Sequence, residues 1–290
     1  MEALLDKLHR HYGIRPEGIS PLEGYQDQTL LVHGTGQRWI LKSHVALPDL
    51  PDRIALEAHL MEQMAQGSAF SFPYTLKTGE GVWWFEHEGR IHRLLSYVGG
   101  DFMADMPSTP EILSSLGTLL GEMGGKAQGI QRLVTPAREL PWDLQHLHLN
   151  RDLVSDIADP RDRALVGYFM LQFEAEVMPH RYALPRGFIH NDANEWNILV
   201  REGRVSGLID FGDACHSWIA ADLAVGLAYA LAAADDLLHA ATLVITSYAR
   251  QRPLDPLEAD VLYYLIAARL CISLCQSARA RKIKPDSDYV

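Results

Sequence analysis

Cysteine is scarce. Three occur in 290 residues, Cys215, Cys271 and Cys275, too few and too scattered for a disulfide framework. Cys271 and Cys275 stand one helical turn apart in an apolar segment, where free cysteine behaves as a small core residue. Positive charge is in deficit: the formal net charge is −11 and no basic stripe interrupts it, so no nucleic-acid partner is expected. The 13 histidines lack ligand spacing, which argues against a zinc site. Long apolar runs are also missing. The most apolar stretch, 218–234, contains Asp222 and is too short to favour a membrane span, so it reads as a buried helix. The opening Met1–His11 stretch has neither the basic start nor the apolar run of a signal peptide. Repeats and low-complexity tracts are absent. With 48% hydrophobic and 22% charged residues, the chain fits a cytoplasmic globular protein large enough for one big domain or two lobes.

Hydrophobic periodicity divides the chain. Leu4, Leu5, Leu8 and Tyr12 recur at helical spacing up to Gly13. Strand patterns at 29–33 and 38–43 flank a Gly34–Gln37 turn, a helix follows over 53–66, and further strands are expected at 82–86 and 90–98. One helix, a five-stranded sheet and one inserted helix make a small lobe over residues 1–98. Beyond Gly99 and Gly100 the pattern turns helical, at 111–127, 163–178, 218–234, 237–250 and 256–281. The only strand-rich interruption expected there is a hairpin near 197–209. Residues 99–290 therefore read as a helical second lobe, and the fold class as α+β with two lobes.

That hairpin sits inside the most informative segment, Ile189-His-Asn-Asp-Ala-Asn-Glu-Trp-Asn-Ile-Leu-Val200 followed by Gly207-Leu-Ile-Asp-Phe-Gly-Asp213. Asp192 can accept a proton from a hydroxyl. Asn197 and Asp210, at adjacent strand ends, offer the hard oxygens that magnesium takes alongside phosphate. A His-x-Asp-x-x-x-x-Asn run is common by chance; joined to a hairpin and Asp-Phe-Gly, it is specific. Two absences point to a small acceptor. Asn191 stands where a regulated protein kinase carries arginine, and only Asp213–Ser217 separates Asp-Phe-Gly from the next expected helix at Trp218.

On these residues the chain resembles the aminoglycoside phosphotransferase and choline kinase family of protein-kinase-like fold, from about Ile14 to Arg281. It is most similar to the hydroxylysine kinase group and related amino-alcohol kinases through Trp142-Asp143-Leu144, the Asn-Asp-x-Asn-x-x-Asn loop and Asp-Phe-Gly-Asp. The resemblance implies ATP and Mg2+ as cofactors, with Asp192 catalytic and Asn197 and Asp210 on the metal. It implies that Lys42, closing the apolar run Trp39–Leu41, meets the α- and β-phosphates and that Glu57 orients it. Read by itself, Lys42 is either paired with an anion or a snorkelling strand residue. Tyr25, Gln26, Asp27 and Gln28 would cap the phosphates from a loop with a single glycine, Gly24, and Ser96 and Val98 would border the nucleotide. His190 is expected to pack under the catalytic loop and Asp222 to brace it.

The implied acceptor is a small amine-bearing alcohol. Asp213, Glu195 and Asp143 are candidate ammonium contacts, and Trp142, Trp196 and Trp218 candidate cation–π faces. Arg132, Arg138 or Arg186 would suit an amino-acid carboxylate. Two alternatives remain open: an aminoglycoside O-phosphotransferase, and an inactive nucleotide-binding pseudokinase. The second is disfavoured because Lys42, Asp192, Asn197 and Asp210 are all present. No membrane partner is expected, and the polar end from Lys284 suggests continuation into an aminotransferase-like module.

Overall fold

A computed structural model describes residues 2–22, 28–130 and 139–283. Tyr25, Gln26, Asp27, Arg132, Arg138 and the tail from Lys284 lie outside them. The described chain forms two compact units, one running to Gly67 and again over Ser71–Gly99, the other holding Ser68–Phe70 and the remainder from Gly100.

The first unit opens with α1 (Glu2–Tyr12), then β1 (Gly18–Leu22), β2 (Gln28–Gly34), β3 (Gln37–Val45), α2 (Leu50–Ala65), β4 (Phe85–His87) and β5 (Arg90–Ser96). The five strands are antiparallel in the order β1-β2-β3-β5-β4. Alternation along a strand sorts side chains onto two faces. Leu30, Val32, Leu41 and Leu94 pack with Leu8 of α1 and Phe85 on one face. Ile91 lies on the other, against Leu50 and Ile54 of α2. With both faces covered, Ile91 to Leu95 are buried without interruption. Lys42 lies inside β3 rather than at its end, cross-strand from Arg93.

The second unit contains β6 (Asp101–Phe102), α3 (Pro110–Ala127), 3-10 turns over Leu144–Asp156, α4 (Pro160–Glu176), β7 (Arg186–Ile189), β8 (Ile198–Arg201), β9 (Arg204–Leu208), β10 (Cys215–Trp218), α5 (Ala220–Ala232), α6 (Leu237–Gln251) and α7 (Pro256–Ile283). Side-chain caps fix three helix starts: Thr109, Asp159 and Asp236 accept from Ile112, Arg161 and His239 backbone N–H groups. In α3, Gly117 and Gly121 permit close contact with α6. A Cβ on either would lie 2.2 Å from Val244 O or 2.5 Å from Tyr248 O. By length and composition α7 could cross a bilayer. Here its Val261, Leu265, Ala268, Ile272 and Cys275 side chains are buried, and it packs with α4 and α5. Cys271 is buried too, and all three cysteines are free.

Strands exceed the expectation for this unit. β6 pairs with β8, and β7 pairs with β10. These strands are two to four residues long, too short for a period of two to be visible. Trp218 ends β10 instead of opening the helix, which starts at Ala220. Likewise β1 occupies the beginning of what reads in sequence as a loop.

Candidate active site

The hairpin β8–β9 turns through Glu202 and Gly203, both at positive φ (52° and 73°), the requirement of a tight primed turn. At its open end Ile209 N–H donates to Asn197 O at 2.9 Å, so Asn197 and Asp210 are brought to one place. Asp210 adopts φ 63° and accepts from Gly212 N–H, opening a single 3-10 turn over Phe211–Asp213.

The loop before the hairpin is anchored from beneath. Asp222, buried on α5, accepts from the backbone N–H groups of His190 (2.9 Å) and Asn191 (2.7 Å). Burial pushes its carboxyl above the usual range, while His190 and the two amides oppose that shift. Asn191 is itself at φ 68° and fully buried. His190 Nε2 lies 3.0 Å from Ile209 O, and its Nδ1 accepts from Asp192 N–H at 3.2 Å. One nitrogen donating and the other accepting is the bonding of a neutral imidazole, suited to bracing and not to proton transfer. Its ring also meets Phe211 edge-on.

Both Asp192 oxygens are held. Oδ1 accepts from Arg269 Nη2 at 2.5 Å; Oδ2 accepts from Asn194 Nδ2 at 3.0 Å and Asn197 Nδ2 at 2.9 Å. Asn197 Nδ2 also lies 2.9 Å from Asp192 O. With that NH2 committed, the amide oxygen of Asn197 is the atom suited to a cation. Asp213 is half-buried, and its carboxyl is pushed up to about 6 by burial first, then by the charges of Asp192 and Asp210. Burial also raises the carboxyl of Glu195, whose Oε2 is buried without a hydrogen-bond partner.

Other sequence candidates fare differently. Asp143 is occupied by donors of the protein itself. It is 1% exposed and accepts from Gln145 N and Nε2, Ser217 Oγ and Cys215 Sγ, tying the 3-10 turns to β10. Trp142 already faces a cation, the Arg269 guanidinium, 4.6 Å from its ring centroid. Trp218 is buried and donates to Arg181 O, so it is a core residue. Trp196 is exposed, with its ring against Phe102. Arg186 donates to the Gln145 side chain.

In the first unit Glu57 is not simply a partner for Lys42. Its buried carboxylate contacts Arg93 Nη1 at 2.5 Å, because α2 lies over the sheet face that carries Arg93. Ser96 N–H and Oγ bond Tyr74 O and N–H, and Val98 and Lys42 are partly buried. Gln28 is exposed at the start of β2.

Arg269 and Tyr229 carry no motif in the sequence, and Asn194 enters there only as part of the Asn-Asp-x-Asn-x-x-Asn loop. A lone arginine within Leu-Ile-Ala-Ala-Arg-Leu-Cys-Ile is the signal for the first, since such a charge needs partners.

Among the described residues no three His, Cys, Asp or Glu side chains are arranged to enclose a metal. Asn197 and Asp210 fit instead a hard divalent cation that takes its remaining ligands from phosphate and water. Burial first, and then the charges of Asp192 and Asp210, raise the Asp213 carboxyl, and a cation would relieve the repulsion among the three acids.

A sheet-rich unit, a helical unit and this loop-and-hairpin site define a phosphotransferase of protein-kinase-like fold acting on hydroxyl groups of small molecules. The chain belongs to the phosphotransferase enzyme family, whose profile matches residues 18–254. It is similar to the hydroxylysine kinase of Bos taurus, at 23% identity across 96% of this chain and 81% of that one. A homoserine kinase of Bradyrhizobium sp. (strain ORS 278) is 27% identical across 83% of this chain and 72% of its own. Among solved structures, a microcompartment-associated aminopropanol kinase superposes with a TM-score of 0.73 at 17% identity, covering 99% of this chain and 98% of that one. An amicoumacin kinase in complex with AMP-PNP, Ca2+ and Ami also gives 0.73, at 16% identity over 96% and 86%. The family's use of a nucleotide and a divalent cation accords with the donor set found here.

Proposed function

We propose that the protein is an ATP- and Mg2+-dependent kinase phosphorylating the hydroxyl of a small amino alcohol or hydroxy amino acid, with hydroxylysine-like compounds the first choice. The observation that carries it is the fixed Asp192 carboxylate beside Asn197, Asp210 and the half-buried Asp213. Asp192 accepts a hydrogen bond from the acceptor hydroxyl and orients its oxygen; as the new O–P bond forms and the bond from the γ-phosphorus to the β–γ bridging oxygen breaks, releasing ADP, the hydroxyl proton passes to the carboxylate. Asn197 and Asp210 would hold magnesium, which would supply positive charge against the charge developing on the transferred group. Lys42, Ser96 and Val98 of the first unit are assigned to the nucleotide. Positioning and electrostatics supply most of the rate, with no covalent enzyme intermediate.

Asp213 is assigned to the substrate ammonium and Glu195 is a secondary candidate. An acid raised by neighbouring acids gains most from an added cation. Two named relatives act on amine-bearing hydroxy compounds, hydroxylysine and homoserine, which supports the acceptor class. The test is ADP release across hydroxylysine, homoserine, aminopropanol, ethanolamine, spectinomycin and a neutral sugar. Turnover on the first four supports the proposal. Turnover confined to the aminoglycoside-type compound, or preference for a neutral sugar, would replace the acceptor class.

A further inference from the structure

Arg269 sits in the apolar middle of α7, 1% exposed. A guanidinium removed from water must have its N–H groups and its charge satisfied by the protein. Its Nε donates to Tyr229 OH at 3.1 Å, Nη1 to Asn191 O at 3.4 Å and Nη2 to Asp192 Oδ1 at 2.5 Å. The Trp142 ring lies 4.6 Å from the guanidinium carbon and the Tyr229 ring 5.3 Å. The plane of the fork is thereby set by elements remote from the loop, α5 and the turn before residue 144. We infer that Arg269 is a positioning residue for phosphoryl transfer, acting through Asp192, with Tyr229 aligning it; this rests on the role proposed for Asp192.

The physical case has two parts. A carboxylate on a loop can rotate about its terminal torsion, which is soft. Arg269 on one oxygen and two asparagine amides on the other fix its plane, leaving the remaining lone pairs in one orientation for an acceptor hydroxyl. Arg269 is also a fixed cation beside three clustered acids. It compensates Asp192 directly, so that an added cation need answer chiefly to Asp210 and Asp213. A lysine could supply the charge but not the three-way fork.

The test compares Arg269→Lys, Arg269→Met and Tyr229→Phe with the native chain, using Mg-ATP with hydroxylysine and, in parallel, acceptor-free ATP hydrolysis. Folding is checked by thermal denaturation and nucleotide affinity by titration. The expected result is a kcat loss of about a hundredfold for Arg269→Met and roughly tenfold for Arg269→Lys. Nucleotide affinity should stay within about twofold. Tyr229→Phe should show a smaller loss of the same kind. A folded Arg269→Lys protein with native kcat overturns the inference, as does loss of nucleotide affinity in parallel with kcat. If Arg269→Met fails to fold, the Lys and Tyr229→Phe proteins decide. Native hydrolysis of ATP without phosphorylation of hydroxylysine, homoserine, aminopropanol or ethanolamine would sink the acceptor proposal alone, and the variants are then judged on hydrolysis. A native chain doing neither removes both.

Discussion

Asp192 and Asp213 are neighbours with opposite environments. The first has each oxygen satisfied by donors, including a guanidinium; the second is crowded by acids and partly desolvated. Asp192→Asn keeps the shape but loses the charge proposed to align the hydroxyl and accept its proton. Turnover should fall by at least about a hundredfold while nucleotide affinity changes little, which ADP release and titration together check. For Asp213 the folded carboxyl titrates near 6 against an ordinary value of 3.8. The folded state therefore binds more protons than the unfolded one between those values, and stability falls as pH rises through that window. In metal-free buffer Asp213→Asn should be more stable than the native chain above pH 6, by up to about 3 kcal/mol, with the gain vanishing below the lower value. Denaturant melts at several pH values provide the measurement, and an advantage independent of pH would contradict the assignment.

Elements hold these residues by a few close contacts. α3 supports the hairpin through Ser115 Oγ, which accepts from Val205 N–H at 2.9 Å, and it meets α6 where glycine removes the side chain. Gly121→Ala would push a methyl into the backbone of α6 at Tyr248. A loss of about 1–3 kcal/mol in unfolding free energy is expected, despite the higher helix propensity of alanine. A stabilised variant would show that the two helices can separate at no cost. α5 acts differently: by accepting from two successive loop amides, Asp222 converts helix position into loop conformation, including the left-handed Asn191.

On the scale of the whole molecule, ligands that bind only the folded state raise its stability by mass action. Saturation at about 100 times Kd is worth about 2.7 kcal/mol. Mg2+ with a nonhydrolysable ATP analogue should therefore raise Tm, and more than either alone. In Asp210→Ala the synergy between the two should be lost, because the carboxylate proposed to hold the metal is missing. An unchanged synergy would move the metal elsewhere.

Much of this was open to reading in the linear chain, for a physical reason. His190 to Asp213 is nearly contiguous, and a tight hairpin with a glycine at its turn converts that spacing into a site without help from distant elements. The same locality made the long helices and the antiparallel sheet of the first unit legible through their periods. Contacts across long separations were not. Arg269 reaches Asp192 from 77 residues away, and Ser217 donates to Asp143 from 74. Glu57 meets Arg93 only because α2 covers one chosen face of the sheet. Strands as short as β6, β7 and β10 carry no period, and only a partner strand defines them. The sequence by itself determined which candidate groups lie together, since their chemistry and spacing are local. Tertiary packing alone decided which acids are paired with protein donors and which cation steadies Asp192, because burial and charge pairing depend on what is brought alongside.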